Sequence, residues 1–155
     1  MLDPITRTID VPCDQETAFR AFVEGMPKWW PLDKRAMSLY SGQAAKSLHV
    51  DAVQGGRIVE TSENGTEFHW GTITSYTPFE LVRMDFHMGM PAENASVVEV
   101  TFVALSEINT RVTLTQSNWE AFGDMAQMMY DGYGSSWQLI FDEAYGAACG
   151  RTIPS

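Results

Sequence analysis

Residues 55–88, GGRIVETSENGTEFHWGTITSYTPFELVRMDFHM, alternate apolar and polar side chains over three runs. That period of two predicts consecutive antiparallel strands at 57–61, 67–76 and 81–88. Asn64-Gly65 marks the first reversal, because a type I′ turn needs positive φ at both central residues. Thr77-Pro78-Phe79 marks the second, since proline fixes φ and cannot donate to a ladder. A further hairpin is predicted at 96–105 and 110–116. There Val98, Val100 and Phe102 alternate with Glu99 and Thr101, and Val112 and Leu114 with Arg111 and Thr113. The β-branched run 5–11 reads as a strand that Pro12 ends, and 47–53 as a weaker one.

Two stretches carry the helical period instead. After Pro12, Asp14 is the better N-cap, and Ala18, Phe19, Phe22 and Val23 give a short helix its apolar stripe before Gly25 and Pro27 close it. From Phe122 onward Met125, Met129, Tyr133, Trp137, Ile140 or Phe141, Ala144 and Ala148 recur every three to four residues. Gly132 and Gly134 interrupt that run, and either bend the helix or mark its true start. Trp29-Trp30 sits between two prolines, and the polar stretch 33–46 reads as a flexible or functional loop. The order strand, helix, about six strands, long helix predicts an α+β fold in one domain over 1–155. A curved antiparallel sheet of six or seven strands lies against a long C-terminal helix, because that arrangement buries both apolar faces.

Composition narrows the partners. A net charge of −10 argues against nucleic acid and anionic membrane surfaces, which reward clustered Lys and Arg. No apolar run approaches the roughly 20 residues needed to span a bilayer, and the first residues have neither a basic nor an apolar leader pattern. The expectation is a cytoplasmic protein. Cys13 and Cys149 stand far apart with no CxxC spacing, and read as reduced thiols.

Conventional catalytic signatures are absent: no GxSxG, HExxH, GxGxxG or P-loop pattern occurs, so no catalytic residue is assigned and no cofactor is expected. His49 with Asp51, and Arg83 with Asp85, read as surface pairs. Gln116, Asn118 and Glu120 either orient a ligand at the end of the sheet or cap the following helix. With a two-residue turn at 64–65 and a three-residue turn at 77–79, Glu60 faces His69 and His69 faces His87. Val59, Thr61, Phe68, Trp70, Met84 and Phe86 then share the opposite face. A Glu and two His about 5 Å apart suit a divalent metal, but such sites usually need a further protein ligand, so the row is read as solvated and no metal is assigned.

The stronger lead is aromatic and methionine-rich. Trp30, Trp70, Phe86 and Met88, with Met129, Tyr133 and Trp137 of the last helix, are the candidate ligand-binding residues. Pockets are mostly apolar with a few polar tips, and methionine adapts its shape to a guest.

The chain resembles the START-like, helix-grip (SRPBCC) superfamily, in the branch named for activators of a heat-shock chaperone ATPase. The resemblance rests on Ile9-Asp10-Val11-Pro12, Trp30-Pro31, Gly55-Gly56-Arg57 with Glu60, Gly65, Trp70-Gly71-Thr72-Ile73 and Trp137, in that order. It implies a cavity between helix and sheet and no universal catalytic residue. Gln116 stands where the family often has a histidine, and Ser136 precedes Trp137 where a glycine is usual. The leading reading is therefore binding of a small, largely apolar molecule in that cavity. The alternatives are a lyase, cyclase or hydrolase using the same cavity, and an interaction module. The last takes a chaperone partner, by resemblance only, or forms a homodimer through an apolar patch at Trp29-Trp30 and Met88–Met90.

Overall fold

The alternating runs close into a seven-stranded antiparallel sheet in the order β1-β7-β6-β5-β4-β3-β2. These strands are Ile5–Val11, Ala45–Val50, Arg57–Ser62, Glu67–Thr77, Leu81–Phe86, Ser96–Ser106 and Asn109–Ser117, numbered β1 to β7 in chain order. The computed structural model describes residues 2–151. Helix α1 (Gln15–Val23) follows β1, capped as expected by the Asp14 side chain accepting from the Thr17 amide at 2.8 Å. Its buried face is Ala18, Phe19, Phe22 and Val23. A single turn, α2 (Met26–Trp29), follows it.

The C-terminal helix grips the sheet. Helical turns over Trp119–Met125 break at Gly123, and α3 proper runs over Ala126–Trp137. It continues as π-helical turns over Gln138–Tyr145 and ends in Gly146–Ala148. The wider π turns rotate the buried stripe: Phe141, Tyr145 and Cys149 face the core, where a uniform α-helix would have presented Ala144 and Ala148. Gly132 and Gly134 neither break nor delay the helix. A Cβ on Gly134 would sit 3.5 Å from Ile5 Cδ1, an ordinary contact, and a Cβ on Gly132 would meet open space, so neither position requires glycine for packing. Tyr145 Oη donates to the Ala18 carbonyl at 2.7 Å and locks the end of the helix to α1.

The first hairpin differs from its expected register. Thr61 pairs with Glu67, Glu60 with Phe68 and Val59 with His69. Only Gly65 of the turn has positive φ, at 88°, so a type I′ turn is excluded. Residues 63–65 instead form a three-residue loop, with the Thr66 amide donating to Asn64 Oδ1 at 3.1 Å and the Gly65 amide to the Ser62 carbonyl at 2.9 Å. The added residue reverses the facing of β3, as any one-residue slip must. Ile58, Glu60 and Ser62 point inward, and Val59 and Thr61 do not. A bulge then leaves Trp70 between the Ile58–Gly71 and Val59–His69 pairs. Gly71 is required there, since a Cβ would meet the Asp85 carbonyl oxygen at 2.1 Å.

Glu60 is therefore fully buried on the inner face, where a solvated residue was expected. Its Oε1 accepts from the Met37 amide at 2.8 Å and from Trp70 Nε1 at 2.9 Å. Its Oε2 accepts from the Ser38 amide at 2.7 Å and from the Ser38 hydroxyl. One side chain thus ties the segment after α2 to β3 and to the bulge in β4. Replacing Glu60 by Gln puts an amide NH2 against an obligate N–H donor whichever way it is turned. Glu60→Gln is expected to cost about 2–4 kcal/mol in urea denaturation and to speed amide exchange at Met37 and Ser38. Unchanged stability would show that the carboxyl group does not hold this segment.

Candidate functional site

A cavity of about 720 Å³ opens beside the first half of α3. Met128, Met129, Gly132 and Tyr133 of α3 form one wall, with Ser135, Ser136 and Ile140 further along. Residues 34–37, 39 and 40 form the facing wall, which is the segment tied down by Glu60. Met88 and Met90 close a third side, and Trp30 is the floor. The rim is open: Tyr40 is 88% exposed and Met128 59%.

Four of the expected ligand-binding residues line this space, namely Trp30, Met88, Met129 and Tyr133. Trp70, Phe86 and Trp137 do not. They lie beneath the floor, where Trp30 packs on Trp70 at 4.8 Å between ring centroids, on Trp137 at 6.2 Å and on Phe86 at 6.3 Å. The gap expected between helix and sheet is thus filled with rings, and the cavity is displaced towards the loops at its edge. Trp29 and Trp30 are both buried, so they form no exposed patch.

The polar tips divide in the same way. Trp30 Nε1 donates to the Arg35 carbonyl at 2.7 Å, Trp70 Nε1 to Glu60, and Trp137 Nε1 to Gln116 Oε1 at 2.8 Å. None of these indoles has an N–H left for a guest. Gln116 in turn donates to Ser96 Oγ at 3.0 Å, which makes it a structural link and not a ligand-orienting group. The Tyr133 hydroxyl, by contrast, has no partner among the described residues. Burial, with the nearby Tyr40 phenol second, holds Tyr133 well above its ordinary value, so it stays a neutral O–H. Lys34 and Arg35 are the cationic lining residues, and no His, Asp or Glu is among them.

The other expected pairs resolve differently. Arg83 bridges to Glu99 across the strands at 2.8 Å, in place of Asp85. His69 and His87 do meet, with ring centroids 4.6 Å apart, but Glu60 is on the other face and cannot join them. Among the described residues no group of three or more His, Cys, Asp or Glu is placed to hold a metal ion. His69 Nε2 bonds to the Gly71 carbonyl oxygen at 2.8 Å. His87 is buried with neither ring nitrogen hydrogen-bonded. It lies under the loop that carries Met88, whose φ of 40° is left-handed and whose amide donates to the Trp70 carbonyl at 2.9 Å.

Lys34, Arg35 and Tyr40 were not singled out in the sequence beyond the general signal of a long polar loop. Their position depends on the inward-facing Glu60, which a single hairpin residue decides.

Comparison with known proteins places this geometry in a family. A family profile described as activator of Hsp90 ATPase homolog 1-like protein matches residues 12–143. An anthrahydroquino-γ-pyrone synthase is similar in structure, at 22% identity, covering 95% of this chain and 97% of that one, with a TM-score of 0.67. The Aha1 dimer from Colwellia psychrerythraea is similar at 19% identity, 96% coverage of both chains and a TM-score of 0.67. The self-sacrificing resistance protein CalC from Micromonospora echinospora is similar at 25% identity, covering 95% of this chain and 89% of its own, with a TM-score of 0.63. No curated protein matches the sequence. Among the described residues no helix is long and apolar enough to cross a membrane.

His87 beneath the cavity loop gives a pH signature. Burial, then the adjacent His69, lowers the His87 imidazole from its ordinary 6.5, outweighing the opposing pull of the Met90 backbone and of Asp85 and Glu93. Folded protein keeps this ring neutral, whereas the unfolded chain protonates it near 6.5. Below that pH the unfolded state binds more protons. Stability is therefore complete above about pH 6.5 and falls as pH drops towards the lowered folded value, with a slope of up to about 1.4 kcal/mol per pH unit. Replacing the ring by an apolar one in His87→Phe is expected to flatten that limb in urea titrations between pH 6.5 and 5. An unaltered limb would mean that His87 is already protonated when folded.

Proposed function

The chain belongs to the activator of Hsp90 ATPase homolog 1-like family, and we propose that it binds a small, largely apolar molecule in the cavity beside α3. The observation that carries this reading is the contrast between floor and wall. Beneath the cavity the N–H groups of Trp30, Trp70 and Trp137 are all taken, whereas the wall presents adaptable methionines and one hydroxyl, Tyr133, with no partner among the described residues. A volume of about 720 Å³ falls within the roughly 300–1,000 Å³ typical of small-molecule sites. Trp30, Met88, Met129 and Tyr133 make the direct contacts in this proposal. Trp70, Phe86 and Trp137 act from below, as a rigid layer that shapes the floor.

Binding is favoured over catalysis because the lining offers no His or carboxylate, and Tyr133 is held protonated, which removes it as a base at neutral pH. The synthase and resistance activities named for two similar structures belong to those proteins; they support the reading only as examples of small-molecule chemistry on this fold. We place the protein in the cytoplasm, in keeping with free Cys13 and Cys149. A homodimer and a chaperone partner enter only through the names of its relatives.

The test uses N-phenyl-1-naphthylamine, a neutral apolar probe that fluoresces when shielded from water, together with native mass spectrometry for co-purifying molecules. Gly132→Phe projects a ring into the open space that a Cβ at this position meets, at no cost in helix propensity. The wild-type protein is expected to bind the probe, and Gly132→Phe to weaken binding by about tenfold or more while unfolding at the same or higher urea concentration. Equal binding by both proteins, or no binding and no co-purifying molecule, would overturn the proposal.

A further inference from the structure

Within this reading of the cavity as a binding site, we infer that its ligand carries an anionic group, a carboxylate, enolate or phenolate, which docks on Arg35 with Lys34 beside it. The charge distribution is the starting point. The chain carries 20 acidic against 10 basic side chains. Carboxylate partners are therefore abundant, and Arg7, Arg20, Arg83 and Arg111 each pair with one. Arg35 does not. Its Nε donates to Ser136 Oγ at 3.0 Å and its Nη1 to the Lys34 carbonyl at 3.0 Å. These two bonds fix the guanidinium between the loop wall and α3, and leave Nη2 without an acceptor among the described residues.

That geometry leaves one edge of the guanidinium free to donate. Arg35 is further held through its backbone, whose carbonyl accepts Trp30 Nε1 at 2.7 Å. A guanidinium has five N–H donors in a planar fork, and suits a planar two-oxygen anion in particular. Lys34 lines the same wall, and no acidic side chain lines the cavity to neutralise either. An acidic protein that keeps two uncompensated cations beside a methionine-rich cavity is matched to a guest with the opposite charge and an apolar body. Bonds of this charge-assisted kind are about twice as strong as neutral ones, and stronger still when partly shielded from water.

A matched pair of probes separates this inference from the one beneath it. 8-Anilino-1-naphthalenesulfonate and N-phenyl-1-naphthylamine share their ring system and differ in the sulfonate. The wild-type protein is expected to bind the anionic probe about tenfold tighter at low salt, with the preference shrinking as ionic strength rises. In Arg35→Gln the ratio of the two affinities should collapse towards one, and Arg35→Lys should restore part of it. Gly132→Phe should weaken both probes together, which places them in this cavity. If the neutral probe binds as well as the anionic one, or if Arg35→Gln weakens both equally, the anionic docking site is overturned while the cavity still binds. If neither probe binds, the binding reading fails and this inference fails with it.

Discussion

A single buried carboxyl group fastens to the sheet the loop that forms one wall of the cavity. Glu60 accepts hydrogen bonds from two consecutive backbone amides, from the Ser38 hydroxyl and from the Trp70 indole. Burying such a group is costly unless its lone pairs are met, and here each oxygen meets two donors. The loop between α2 and β2 is thereby fastened against the inner face of β3. Within the segment the Arg35 carbonyl also accepts Trp30 Nε1 and Ala36 is buried, so Glu60 acts together with these contacts in holding residues 34–38 over Trp30. Met37 and Arg35 reach the cavity because the next residue in line, Ser38, is held at the sheet.

The same attachment accounts for a floor of indoles. Trp70 points inward through a bulge, gives its N–H to Glu60 and packs on Trp30, which gives its own to the Arg35 carbonyl. Trp137 reaches across from α3 to Gln116. The ring layer is rigid because its polar tips are all committed, and helix and sheet are sealed along most of their contact. Space remains only where α3 meets loops. There the lining changes from committed indoles to methionines, a free phenol and two cations. The position of the cavity and the character of its lining follow from one arrangement.

Much of the fold was legible along the chain. Alternation located the strands to within a few residues, and Asp14 was readable as a cap from chemistry alone. The buried face of α1 followed from its spacing. The departures have local causes that a pattern does not contain. One extra residue in the 63–65 turn reversed β3, so Val59 and Thr61 exchanged places with Ile58, Glu60 and Ser62. The Asn64-Gly65 pair permits either turn length, and tertiary packing decided it. In the last helix the π turns moved the stripe from Ala144 and Ala148 to Tyr145 and Cys149, a shift with no signature in the spacing. The cavity lining was half legible: Trp30, Met88, Met129 and Tyr133 could be found as large apolar or aromatic residues. Lys34, Arg35 and Tyr40 could not, because loop residues acquire a position only through what anchors them.

Methyl spectra of protein labelled with 13C at its methionine methyl groups test the central claim most directly, since the chain has nine methionines and five of them line the cavity. Titration with N-phenyl-1-naphthylamine should shift the signals of Met37, Met88, Met90, Met128 and Met129. Met26 and Met84, buried in the core away from the cavity, should stay in place. Shifts confined to Met26 and Met84, or no shift at saturating probe, would contradict the account.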